Sequence, residues 1–286
     1  MNEEKKSYKL VKFIIFIVFV FICIFMYAKY VGVSGLIVKE YRLESKILSS
    51  NFSGFKVVHF SDLLYKSTID QDDVKKVVEK INLLKADIVI FSGDLVSKGI
   101  SLSEEDISFL TDNLSNIDAK IGKYAVYGDC DYDNSNYESI MSDSDFMVLR
   151  NQYDEVYYKT HDVMYVVGLA SAVKDNVKLE DAFSFYSDEE RQYTIVIVHD
   201  GKTIKYLDES TYEVDLILGG HSLNGSVVIP YYGGIFKDES NYKYMKEHYS
   251  KGLTQIYMSS GLGTNEYGFR LFNKPSINLY RLKAQS

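Results

Sequence analysis

The feature that most constrains this chain is an unbroken apolar run that stops on a carboxylate, Asp87-Ile88-Val89-Ile90-Phe91-Ser92-Gly93-Asp94. A run of that length and composition reads as a strand buried on both faces. Open α/β sheets place their ligands at the C-terminal edges of such strands. A single Asp after Gly is ordinarily a turn or helix cap. Here the pattern recurs: Phe55 to Phe60 leads into Ser61-Asp62, and Tyr124 to Tyr127 into Gly128-Asp129-Cys130-Asp131. Thr194 to Val198 leads into His199-Asp200, and Asp215 to Leu218 into Gly219-Gly220-His221. Five strands each end on a side chain able to ligate a metal.

The segments between these strands predict an α/β domain. Val74, Val77, Val78, Ile81 and Leu84 recur at helical spacing over residues 72–85, between two strands, which makes a β-α-β unit. Ser103 followed by Glu104, Glu105 and Asp106 is an N-cap with acids in the first turn of a second helix. From about Phe146 to Leu169 short β runs predict an antiparallel second sheet, and Lys178 to Glu190 predicts a polar helix. Further strands are expected at 226–229, 255–259 and 276–282. The long segment Tyr231 to Gly252 lies beside the His221 strand in sequence and is a candidate cover for the site.

The N-terminus divides differently. Residues 1–12 are polar with four lysines, and Phe13 to Ala28 is apolar without a break before Lys29. With the stems of the flanking lysines this approaches the ~20 residues a bilayer core requires. The alternative, a cleaved signal peptide, lacks its small-residue site, because Met26-Tyr27-Ala28-Lys29-Tyr30 is bulky. The expected order is a cytoplasmic tail over 1–12, a transmembrane anchor over 13–30, a linker over 31–49 and a domain over 50–286. The leading lysines place the domain outside the cell membrane. Leaving aside the five Lys and two Glu of residues 1–30, the chain carries 27 basic against 38 acidic residues, a balance that excludes bulk nucleic-acid binding. The two cysteines, Cys23 in the anchor and Cys130 near the strand ends, form no disulfide framework.

Ser61-Asp62, Gly93-Asp94, Gly128-Asp129-Cys130-Asp131, Val198-His199 and Gly220-His221-Ser222-Leu223-Asn224-Gly225, in this order, resemble the five blocks of the calcineurin-like metallophosphoesterases. The tail Tyr257 to Thr264 with Arg270 to Pro275 is similar to the membrane-anchored bacterial-type subgroup. The resemblance covers about residues 50–283. It implies a four-layer α/β/β/α sandwich with a binuclear metal centre that hydrolyses phosphate esters.

The departures sort by metal. Where the family uses Asp-x-His, Gly-Asp, Gly-Asn-His-Asp or Glu, a mid-chain His and Gly-His-x-His, this chain has Leu64, Asp129, Cys130 and Leu223 in place of one amide and three histidines. By the resemblance, one ion would be held at Asp62, Leu64, Asp94 and Leu223, a site without nitrogen ligands and with Asp62 as a residual ligand. The other would be held by Asp94, Asp129, His199 and His221, a set suited to one divalent Zn, Mn or Fe, against the alternative that no metal binds, His199 and His221 being core histidines bonded to carbonyls and Asp129 a turn residue. Cys130 stands at the position of the family's leaving-group histidine, with Asp131 beside it. These two are the catalytic candidates, against a plain packing role for the thiol. Two functions stay open. One is a catalytically silent or weak family member, a pseudoenzyme that binds a phosphate-containing ligand or a protein partner at the membrane. The other is a single-metal phosphoesterase acting on an envelope or lipid-linked phosphodiester.

Overall fold

The computed structural model describes residues 2–236, 239–241, 243–264 and 267–285. Two six-stranded sheets face each other. The first has the order β1 (Ile37–Ser45), β14 (Ser276–Ala284), β2 (Lys56–Phe60), β3 (Ala86–Phe91), β4 (Ala119–Ala125), β5 (Phe146–Val148). The second has the order β12 (His248–Lys251), β13 (Thr254–Met258), β9 (Leu216–Gly219), β8 (Thr194–Ile197), β7 (Val163–Gly168), β6 (Gln152–Tyr157). Between them lies an apolar layer in which Val57, Ile88 and Ile90 of the first sheet meet Val166, Ile195 and Leu218 of the second.

Helices cover the outer faces. On the first sheet lie α2 (Gln71–Leu84), α3 (Glu104–Ser115) and α4 (Tyr137–Asp143), burying Val77, Ile81, Leu110 and Ile140 against Val58, Val89 and Phe91. On the second lie α5 (Leu179–Ala182) and α6 (Gly201–Asp208), packed on Val167, Val196 and Ile217. The order of layers is α/β/β/α. Both long helices start as their sequences dictate. Asp70 and Ser103 each close a reciprocal capping box, with Asp73 and Asp106 respectively, satisfying backbone donors that the first helical turn leaves free.

Several expectations need correction. The second sheet is mixed rather than antiparallel, because β7, β8, β9 and β13 run parallel and only the edge strands β6 and β12 oppose them. Phe146 belongs to the first sheet, parallel to β4. Of the polar helix expected over 178–190, only the single turn of α5 forms, since aromatic stacking of Phe183, Phe185, Tyr186 and Tyr212 organises the chain beyond it. The span read as a linker, 31–49, contains β1. It pairs in parallel with all nine residues of β14, from Ile37 with Ser276 to Ser45 with Ala284.

The N-terminal helix α1 (Asn2–Met26) continues through a π-helical turn, Tyr27–Val31. Its segment Tyr8–Val31 is long and apolar enough to cross a membrane. Its C-terminal end rests on the domain: the Arg270 amide donates to the Ala28 carbonyl at 3.0 Å, and the Phe25 and Phe269 rings lie 6.2 Å apart.

Because β1 covers the edge of β14, a soluble fragment beginning at residue 34 should unfold cooperatively. One beginning at residue 47 should lose thermal stability and aggregate, because it exposes a nine-residue strand edge. Equal melting temperatures and equal solubility for the two fragments would return 31–49 to the status of a linker.

Candidate metal centre

β2, β3 and β4 are parallel neighbours in one sheet, and β8 and β9 in the other, so their C-terminal ends bring the expected residues to one edge of the sandwich. The loops meet there at very short range. A Cβ at Gly93 would lie 2.3 Å from the Gly128 nitrogen, and one at Gly128 would lie 2.3 Å from Asp94 Oδ1 and 2.8 Å from His199 Cε1. Only a residue without a side chain fits at either position.

Asp94, His199 and His221 each direct one ligating atom into a common space, all within 4.8 Å of one another. The His199 Nδ1–H donates to the Ser92 carbonyl at 2.7 Å, which turns Nε2 toward the site. His199 Nε2 stands 3.2 Å from His221 Nδ1 and 3.5 Å from Asp94 Oδ2. Ligands about 2.05 Å from a tetrahedral Zn are separated by an edge of about 3.3 Å, so the spacing fits a cation. Asp129 lies beside this trio, its Oδ2 3.6 Å from His221 Nδ1 and its Oδ1 accepting from Ser171 Oγ at 2.7 Å.

The electrostatics follow from burial and crowding. Burial pushes the Asp94 carboxyl up, but the charge and hydrogen bond of His199 and the Cys130 amide outweigh it and hold the group at about 2. Burial pulls His199 down, and Asp94, Asp62 and Asp129 outweigh it, raising the imidazole well above its ordinary value. Negative charge concentrated on a buried imidazole in this way is what a dication would neutralise.

The other expected residues take different places. Asp62 is buried, accepts from the His221 amide at 3.1 Å and from the Ser61 hydroxyl, and burial raises its carboxyl. Asp131 points away from the cleft. It accepts from the amides of Asp94 (2.7 Å), Gly128 (2.8 Å) and Leu95 (2.9 Å), so it ties the loops together and is corrected from catalytic candidate to support. Cys130 does face the site. Its amide and thiol both donate to Asp94, and burial together with the charges of Asp94 and Asp131 raises the thiol far above its ordinary range. Leu64 and Leu223 are 8% and 5% exposed. They pack against the 261–263 backbone, where a Cβ on Gly263 would fall 2.6 Å from Leu64 Cβ and one on Gly261 would fall 2.3 Å from Leu223 Cδ2.

A cleft of about 770 Å³ opens over these groups, lined by Asp62, Asp94, Cys130 and His221 and by the apolar or aromatic Leu64, Leu223, Ile235, Phe236 and Tyr267. Sequence reasoning did not single out Ser240, which hydrogen-bonds His221 Nε2 and brings part of the 231–252 segment to the site. It also passed over Lys98, which lines the cleft, and the role of the fully buried Arg270. Arg270 donates to the carbonyls of Gly263 and Asn273, and burial brings its pKa down to about 10 while Asp62 holds it up. Lys98 was legible only as a basic residue four positions after Asp94.

Comparison with known proteins agrees with this architecture. An uncharacterized metallophosphoesterase of Bacillus subtilis, YkuE, is 29% identical over 90% of this chain and 89% of its own length. An uncharacterized metallophosphoesterase of Helicobacter pylori strain J99 is 29% identical over 73% of this chain and 54% of its own. The UDP-2,3-diacylglucosamine pyrophosphatase LpxG of Chlamydia muridarum is 22% identical over 67% of this chain and 70% of its own. The family model described as calcineurin-like phosphoesterase matches residues 55–225, which contain every strand-end residue described above, and the chain belongs to that family.

Proposed function

We propose that this protein is a membrane-tethered phosphoesterase-family member that holds one divalent ion, Zn, Mn or Fe, and binds a phosphate-bearing ligand with little or no turnover. Asp94, His199, His221 and Asp129 would hold the ion, which supplies Lewis acidity toward a phosphoryl oxygen. The observation that carries this reading is the packing of Leu64 and Leu223. Apolar side chains packed against the 261–263 backbone stand at the two positions where the second ion would need nitrogen ligands, which leaves only Asp62 and Asp94 to hold it.

The residues that remain are poorly arranged for turnover. The Asp62 carboxylate is already engaged by the His221 amide and Ser61, and the Cys130 proton is directed at Asp94 rather than into the cleft. A thiol is also a weak donor to a leaving oxygen. Binding is better served. Lys98 and the buried Arg270 offset the carboxylates, and the apolar wall of Leu64, Leu223, Ile235, Phe236 and Tyr267 suits the hydrocarbon part of an amphiphile. That wall, with the similarity to a relative named for a diacylglucosamine pyrophosphate, favours the second reading, a slow single-metal hydrolase of a lipid-linked phosphodiester.

Elemental analysis after dialysis should find close to one transition-metal ion per chain, lost in His221→Ala; two tightly held ions would overturn the one-site reading. Bis(p-nitrophenyl) phosphate should be turned over little or not at all with Mn, Fe, Zn, Ni or Mg. Leu64→His with Leu223→His should recover a second ion, and adding Cys130→His should then raise the rate, by up to about 10²–10⁴-fold for restored acid-base help. Robust metal-dependent turnover by the unaltered chain, abolished in Asp94→Asn, would make it an enzyme. The flanking lysines orient the domain outward, so protease added to intact cells should digest it; full protection would reverse the orientation.

A further inference from the structure

A second cavity lies where the N-terminal helix meets the domain, outside the metal centre. It measures about 590 Å³ and is bordered by Tyr27 and Gly32 of the helix end, by Val228 and Gly233 of the hairpin β10 (Val228–Ile229) and β11 (Gly233–Gly234), and by Phe272. Lys39, Lys246 and Lys274 line it, against one carboxylate among the described residues, Glu247. Lys39 pairs with Glu247 and donates to Ser260 Oγ at 2.9 Å. Among the described residues, Lys246 and Lys274 make no ion pair. The buried Asn224 lines the same cavity, and its Oδ1 has no hydrogen-bond partner. In a domain with 38 acidic and 27 basic residues beyond residue 30, Lys246 and Lys274 bring positive charge without an ion-pair partner among the described residues to the cavity.

The rim is apolar and aromatic. Ile229, Tyr231 and Tyr232 form the hairpin tip, with Phe272 beside it and Tyr30 on the helix, and all five are exposed. Tyr231 and Phe272 hold left-handed backbone angles, φ +69° and +54°, a disfavoured conformation that no burial of their own side chains compensates. Tyrosine rings with lysines are the side chains that settle at the level of lipid headgroups, and this rim is continuous with the end of the apolar helix Tyr8–Val31.

We propose that this cavity is a binding site for the headgroup of an anionic phospholipid, and that the hairpin tip and Phe272 enter the interface around it, seating the domain on the bilayer. Lys246 and Lys274 take the phosphate. The occupant is the lipid of the membrane that holds the helix, so the inference rests on the anchor reading above.

Trp is absent from the chain, which makes a single introduced Trp an unambiguous probe. Full-length Tyr231→Trp and, separately, Phe19→Trp are placed in nanodiscs of phosphatidylcholine with and without phosphatidylglycerol, using brominated acyl chains as quencher. The Phe19→Trp probe should be quenched in both lipids. The Tyr231→Trp probe should be blue-shifted and quenched more with phosphatidylglycerol. Lys246→Gln with Lys274→Gln should reduce the ratio of seated to free domain by on the order of thirtyfold, at about 1 kcal/mol for each of the two lysines. Quenching of the helix probe with solvent-like emission at position 231 would overturn the site while leaving the anchor intact. Quenching at 231 indifferent to lipid charge and to the lysine changes would also overturn it. Absence of quenching at both positions would overturn the anchor reading, and the headgroup site with it.

Discussion

The site depends on the Asp131 carboxylate, which accepts three backbone amides from two loops and so fixes Asp94 without touching the cleft. Burial and the Asp94 charge push its carboxyl up, while the three donors draw it back toward ionisation. Two carboxylates thus lie close together in a buried region where repulsion is strong. The approach is tolerated because each is saturated with donors, and the absence of side chains on Gly93 and Gly128 lets the loops come close enough.

Backbone strain is concentrated at the same edge. Asp62, Leu64, Asp94, His221, Leu223, Asn224 and Ser226 all have positive φ, between +45° and +61°. Left-handed geometry costs an ordinary L-residue about 1–2 kcal/mol. At Asp94 and His221 such angles accompany side chains directed into the candidate site, and at Leu64 and Leu223 they are present although those side chains cannot ligate. These leucines recover stability by burial against the 261–263 backbone, which makes the substitution compatible with an intact fold.

Much of this was legible in the sequence because buried parallel strands are continuous apolar runs and their ends carry the chemistry. The strands at 56–60, 86–91, 194–197 and 216–219 and the capped helices follow directly from local pattern. The misread parts depend on partners distant in sequence. β1 has alternating, partly exposed residues, and only its pairing with β14, some 240 positions away, makes it part of the domain. The direction of the second sheet depends on crossovers rather than on any strand's composition. Asp131 could not be told from the carboxylates that face the cleft, because a carboxylate facing amides and one facing a cleft look alike in a sequence. Ser240 and Lys98 carried no periodicity or spacing that would have marked them.

The short connection between helix and sheet bears on how a ligand is met. Gly32 to Leu36 alone separate Val31 from the first residue of β1, a reach of about 17 Å at full extension. With the helix in a bilayer, the cleft cannot wander into bulk solution. For a ligand carried in that membrane, encounter would be set by its surface density and by lateral diffusion, so even a weak intrinsic affinity would give high occupancy.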